Sequence, residues 1–191
     1  MVCLIGALVA DLLVHAPLAR WAQTRAHVVA MDDGQTTLTF AQLYAQVQQQ
    51  AHELQRSHAP ATVFVDDQLT TMAQMVSFLA IITSGRCAAV SDPDWPSAVR
   101  QSVQSNFSAA ASTPPEPTPT SPFYIGFTSG STGIPKGFRR HHRSWTESLR
   151  VCIETFGHDA ASAVLAPGRF SHSLFLFGMV LGLWSGAGVV V

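Results

Sequence analysis

Phe123-Tyr124-Ile125-Gly126-Phe127-Thr128-Ser129-Gly130-Ser131-Thr132-Gly133-Ile134-Pro135-Lys136-Gly137 is an apolar run that feeds directly into a turn of glycines and hydroxyls with one lysine behind a proline. Residues 123–127 read as a buried strand. The glycines at 130, 133 and 137 let the backbone adopt positive φ and bring its N–H groups close to an anion. The hydroxyls of Thr128, Ser129, Ser131 and Thr132 add donors around the same point, Pro135 stiffens the exit, and Lys136 supplies a mobile positive charge. Together these residues form a cradle suited to a polyphosphate. A solvated Gly/Ser/Thr loop is the plain alternative, but it gives no reason to hold a lysine behind a proline. The usual P-loop is excluded, because it needs a hydroxyl after its lysine and Gly137 stands there. Neither a G-x-S-x-G elbow nor a G-x-G-x-x-G fingerprint is present, which disfavours hydrolase and dinucleotide readings.

Strands and helices alternate on both sides of this segment. Upstream, Thr39 has the position of an N-cap with Gln42 three residues later, and Phe40, Leu43, Tyr44, Val47, Ala51 and Leu54 recur at helical spacing, predicting a helix over 40–56. Residues 62–65 read as a short strand. Leu69, Met72, Ala73, Val76, Leu79 and Ala80 mark a second amphipathic helix, closed by Gly85. A strand over 87–90, a turn at Asp92-Pro93 and a helix over 98–107 follow. Residues 108–122 are Ala, Ser, Thr and Pro with one charge, Glu116, and are expected to be a linker or exposed loop. Downstream, Ser144 and Glu147 predict a capping box for a helix over 145–156; Val164-Leu165 reads as a strand and 173–184 as a helix. The expected fold class is α/β, with layered, parallel-rich sheets and flanking helices. The expected units are a first α/β subdomain over 1–107, the linker over 108–122 and a phosphate-loop segment over 123–191.

Composition narrows the partners. The chain has 191 residues, 47% of them hydrophobic, a formal net charge of -1 and only 12% charged residues. It can fill a core, and it has no global field to recruit nucleic acid or an anionic membrane. The Arg139-Arg140-His141-His142-Arg143 run is short and lacks interleaved aromatics, so it reads as a solvated segment beside the loop and not as a nucleic-acid patch. Three widely spaced cysteines, Cys3, Cys87 and Cys152, make neither a disulfide framework nor a metal pair, and a reduced, cytoplasmic setting is expected. The uncharged stretch 173–191 has the length of a membrane span, but its glycines at 178, 182, 186 and 188 favour a buried helix and strand. No stable membrane insertion is expected. The chain stops within that last strand, so a truncated N-terminal part of a larger protein is expected.

The string Thr128–Gly137 resembles the T-S-G-[ST]-T-G-x-P-K-G signature of the adenylate-forming superfamily, which contains acyl-CoA synthetases, peptide-synthetase adenylation domains and luciferases. Fainter echoes appear in the same order: Leu38-Thr39-Phe40-Ala41-Gln42-Leu43 is similar to an early family segment, and residues 78–93 to another. His142 falls where the family often has a histidine, and 167–178 resembles the stretch whose His or aromatic side chain lies near the acyl substrate. The resemblance covers roughly residues 12–191 and implies the N-terminal part of the family's large domain. It implies ATP-dependent activation of a carboxylic acid to an acyl-adenylate, followed by capture on the thiol of coenzyme A. It also implies ATP, Mg2+ and coenzyme A as cofactors, with no metal ligand assigned to this chain itself.

In that reading Thr128, Ser129, Gly130, Ser131, Thr132, Gly133 and Lys136 hold the phosphates, and Lys136 follows the β- and γ-phosphates as charge builds on the leaving pyrophosphate. His172 is the candidate beside the substrate carboxylate, with a structural role at the start of an apolar helix as its alternative. Asp92 before a proline reads as a turn former rather than a metal ligand. Phe170, Phe175, Phe177 and Trp184 could line an acyl tunnel, but at helical spacing they read first as core. A fatty or other hydrophobic acid is the expected substrate. The family's adenine-binding segment, ribose-binding acid, hinge and C-terminal lysine match no residues here, so the expected 191-residue product is inactive alone. The alternatives are a non-catalytic nucleotide-binding remnant, one subunit of a split enzyme completed by a C-terminal chain, and a membrane-associated structural protein.

Overall fold

The computed structural model describes residues 12–128, 134–157 and 163–191. Their strands form two four-stranded sheets. The first contains β1 (Val29–Asp32), β2 (Thr37–Thr39), β7 (Val164–Leu165) and β8 (Val189–Val190) in the order β2-β1-β8-β7; β1 and β2 are antiparallel, the other pairs parallel. The second contains β3 (Thr62–Val65), β4 (Cys87–Val90), β5 (Pro122–Thr128) and β6 (Lys136–His141) in sequence order, parallel until the final antiparallel pair. Both sheets therefore draw strands from either side of the 108–122 connection.

The helices are α1 (Pro17–Thr24), α2 (Phe40–Arg56), α3 (Thr71–Thr83), α4 (Ser97–Gln104), α5 (His142–Phe156) and α6 (Ser173–Ser185). The start of α2 follows from local chemistry. Thr39 Oγ1 accepts the Gln42 N–H and Gln42 Oε1 accepts the Thr39 N–H, the reciprocal capping box read from the sequence. In α3 eight of the thirteen positions are buried and none is exposed, so the helix is set deeper in the core than an ordinary surface helix. One continuous cluster joins the two sheets. Phe78 of α3 meets Phe123 and Tyr124 of β5 and Phe170 ahead of α6, while Trp145 of α5 meets Phe177 of α6.

Three local features differ from expectation or add to it. Residues 136–141 form an edge strand whose side chains are mostly solvated, because Phe138 inserts against the Tyr124 ring and the backbone pairs with β5 along its whole length. The following helix begins at His142, not Trp145. Its cap is His141, whose Nδ1 accepts the Ser144 N–H at 3.1 Å while the Ser144 hydroxyl donates to the His141 carbonyl at 2.7 Å. Glu147 lies beside Arg143 instead of closing a capping box. Finally, β1 and β2 form a hairpin closed by Asp33, which accepts the N–H groups of Gln35 and Thr36, with Gly34 at positive φ.

The connection has no regular element over 108–121, but it is tied down. The buried Arg86 guanidinium donates to the carbonyls of Ala59, Ser84 and Ser112, and the Ser112 N–H donates to His58. Among the described residues no helix is long and apolar enough to cross a membrane; the stretch 173–191 folds as α6 and β8.

Candidate functional site

Open parallel sheets bind ligands beyond the C-terminal ends of their strands, where chain connections leave a crevice. A cavity of about 280 Å³ lies there, at the ends of β4 and β5. Val90 ends β4, and the turn after it contributes Asp92 and Trp95. Strand β5 contributes Phe127 and Thr128, and the entry to α6 contributes Ser171 and His172. The indole of Trp95 meets the Phe127 ring edge-on, with centroids 5.0 Å apart, so one wall is aromatic.

The polar side of the pocket is organised by Asp92. One carboxylate oxygen accepts the Asp94 N–H at 2.9 Å, as the turn reading of Asp-Pro requires, and the other accepts the Ser171 hydroxyl at 3.3 Å. Among the described residues no group of three or more His, Cys, Asp or Glu is placed to hold a metal.

Two of the sequence candidates are brought together: Thr128 and His172 line the same cavity. His172 is the N-cap of α6, its side chain is exposed, and it makes no capping hydrogen bond, so the imidazole is left available to a ligand. Lys136 sits across the β5–β6 ladder from Thr128, whose hydroxyl donates to the Lys136 carbonyl at 3.4 Å, and its side chain is exposed at the base of the loop. Ser129, Gly130, Ser131, Thr132 and Gly133 lie outside the described residues.

The remaining candidates have structural roles. His142 is buried, its Nδ1 accepts the Val14 N–H at 3.1 Å, and its ring stacks on Phe123. Burial first, then the neighbouring His15 and His141, pushes its pKa down to about 3, so it is neutral. Phe170 is core, and Phe175, Phe177 and Trp184 pack against the same cluster. Burial drives the Cys87 thiol up to about 12, which makes it inert as a nucleophile. Trp95, Phe127 and Ser171 were not singled out from sequence. A usable signal existed in the strand-turn pattern at 87–95, because residues just past a parallel strand's end are where such sheets place their sites.

Residues 97–191 match the protein family described as AMP-binding enzyme. The acyl-CoA ligase YhfT of Bacillus subtilis (strain 168), itself uncharacterized, is 44% identical over 102 residues, covering 52% of this chain and 21% of YhfT. VraA of Staphylococcus aureus (strain COL), provisionally named a long chain fatty acid-CoA ligase, is 25% identical over 181 residues, covering 86% of this chain and 39% of VraA. The chain thus spans between about a fifth and two-fifths of these curated relatives. Among solved structures, VinN superposes with a TM-score of 0.78 at 17% identity, covering 94% of this chain and 56% of VinN. An NRPS protein containing adenylation and PCP domains gives 0.76 at 19% identity, covering 97% and 44%. At these identities the structural likeness establishes the fold alone.

Proposed function

From the premise that this chain belongs to the adenylate-forming, AMP-binding superfamily, we propose that it binds the triphosphate of ATP on the 128–137 loop and a carboxylic acid in the adjoining cavity. The observation that carries the proposal is the convergence of Thr128, at the loop's base, with His172, Trp95 and Phe127 around one cavity at the ends of β4 and β5. The donor set suits a phosphate: a hydroxyl at Thr128, an exposed ammonium at Lys136, and glycine-rich backbone between them. Mg2+ finds no carboxylate cluster among the described residues, so it would reach the site on the nucleotide's phosphates.

The chemistry follows from where charge develops. An acid oxygen attacks the α-phosphorus, the bond to the bridging oxygen breaks, and pyrophosphate leaves with the electron pair. Lys136 and the loop N–H groups interact more strongly with that departing charge than with bound ATP, which lowers the barrier. His172 donates to or orients the acid's carboxylate at the pocket mouth.

The acid is a hydrophobic one, destined for a thioester with coenzyme A, in keeping with the ligase names of YhfT and VraA. The aromatic wall of Trp95 and Phe127 supports this better than the 170–184 stretch, whose aromatic side chains are committed to the core. VinN has been solved with L-aspartate, so an amino acid is the competing class. Calorimetric titration of the folded chain with MgATP, decanoate and L-aspartate separates the possibilities. Binding of MgATP and decanoate is expected. A folded chain that binds no MgATP would sink the proposal, and preference for L-aspartate would move it to amino-acid activation.

A further inference from the structure

Two segments far apart in sequence form the rim of the cavity, and one side chain outside the cavity joins them. The turn Asp92-Pro93-Asp94-Trp95 follows β4 in the second sheet. The segment Arg169-Phe170-Ser171-His172 enters α6, which packs on β7 and β8 of the first sheet. Across this seam the Arg169 guanidinium pairs with the Asp94 carboxylate and lies 3.8 Å from Asp92 Oδ1. The Ser171 hydroxyl reinforces the junction by donating to Asp92 Oδ2.

The two sides are not equally fixed. Phe170, the residue next to Arg169, is buried and packed on Phe78, so the α6 entry is anchored in the core. The turn has Pro93 and Asp94 exposed, and Trp95 only half-buried. A clasp between a fixed and a freer segment acts on the freer one.

We propose that Arg169 is a positioning residue: by clasping the 92–95 turn onto the entry of α6, it sets the gap between the Trp95 indole and the His172 imidazole, and with it the width of the cavity. Its consequence for acid binding rests on the reading of this cavity as the acid site; the clasp itself does not. The pair is exposed, so salt screens it and it adds little to global stability. A weak pair suffices, because holding one turn in register requires far less than holding the fold.

The test uses the four tryptophan indole N–H resonances of the 15N-labelled chain, with Trp95 assigned by its loss in W95F. In R169A the Trp95 resonance is expected to move toward the position that wild type reaches in about 1 M salt, where the screening length is about 3 Å. Trp21, Trp145 and Trp184 stay in place and the melting temperature changes by less than about 2 °C. R169K restores most of the shift. With decanoate as probe, R169A weakens binding about three- to tenfold while MgATP binding stays within about twofold. An unmoved Trp95 resonance overturns the proposal, as does a moved one with unchanged decanoate affinity. General movement of all four indoles also overturns it, since that is loosening of the fold. If Trp95 moves but wild type binds no decanoate, the acid-site reading fails and the clasp stands.

Discussion

Lys136 is exposed opposite Thr128 at the base of the loop, with no role in the core. Lys136→Ala should therefore leave stability unchanged and weaken MgATP binding by about 1–3 kcal/mol, the range for one charge-assisted contact, as read by calorimetry. Tyr124 offers the opposite case. Its hydroxyl is buried with no hydrogen-bond partner among the described residues, and burial raises its pKa. Tyr124→Phe removes an unsatisfied group and should be neutral or stabilising by up to about 1 kcal/mol in urea denaturation. Gly126, two residues on and on the same face, leaves room for that phenol tip and for Phe138, so a Cβ there would overlap both rings. Gly126→Ala is expected to cost about 1–3 kcal/mol through overpacking. The glycine, hydroxyl and lysine residues at 128–137, proposed above as a phosphate cradle, were legible because their chemistry is local. Trp95 and Ser171 were not, because nothing in either segment signals the other across the fold.

At the scale of elements, the start of α2, set by its own residues, was legible, whereas the start of α5, set by the strand before it, was not. Helix α2 begins where Thr39 and Gln42 cap each other, and Thr39→Ala should cost about 1 kcal/mol by thermal or urea unfolding. Helix α5 begins three residues before its expected start, because strand β6 runs up to His141 and leaves that imidazole as the first available acceptor. Strand β6 itself looks solvated in sequence, and most of its side chains are exposed. Only its pairing with β5 makes it a strand, and charged residues on such an edge also discourage pairing with another chain.

At the scale of the molecule, the buried His142, with the half-buried His15 beside it, ties the start of the described chain to α5. His142 accepts the Val14 N–H, and His15 sits edge-on to it with centroids 5.6 Å apart. Burial lowers His15 to about 4 and His142 to about 3. The unfolded chain takes up these protons near pH 6.5 and the folded chain does not until far lower, so their contribution is complete above pH 6.5 and falls as pH drops toward 4. Between pH 7.5 and pH 5 the loss should be on the order of 2 kcal/mol per ring, seen as a falling urea midpoint. His142→Asn, which keeps an acceptor and cannot titrate, should remove about half of that dependence and leave the part due to His15. The sequence by itself determined the α/β class, most strand and helix positions and the chemical character of the loop, because periodicity, capping and glycine-hydroxyl composition act over a few neighbouring residues. Only the tertiary structure decided that β5 and β8 enter sheets begun much earlier in the chain, that His142 packs while His172 faces a cavity, and that Arg169 reaches across 75 residues to Asp94. Such pairings depend on which surfaces bury the most apolar area together, and that quantity belongs to the assembled fold and not to any short segment.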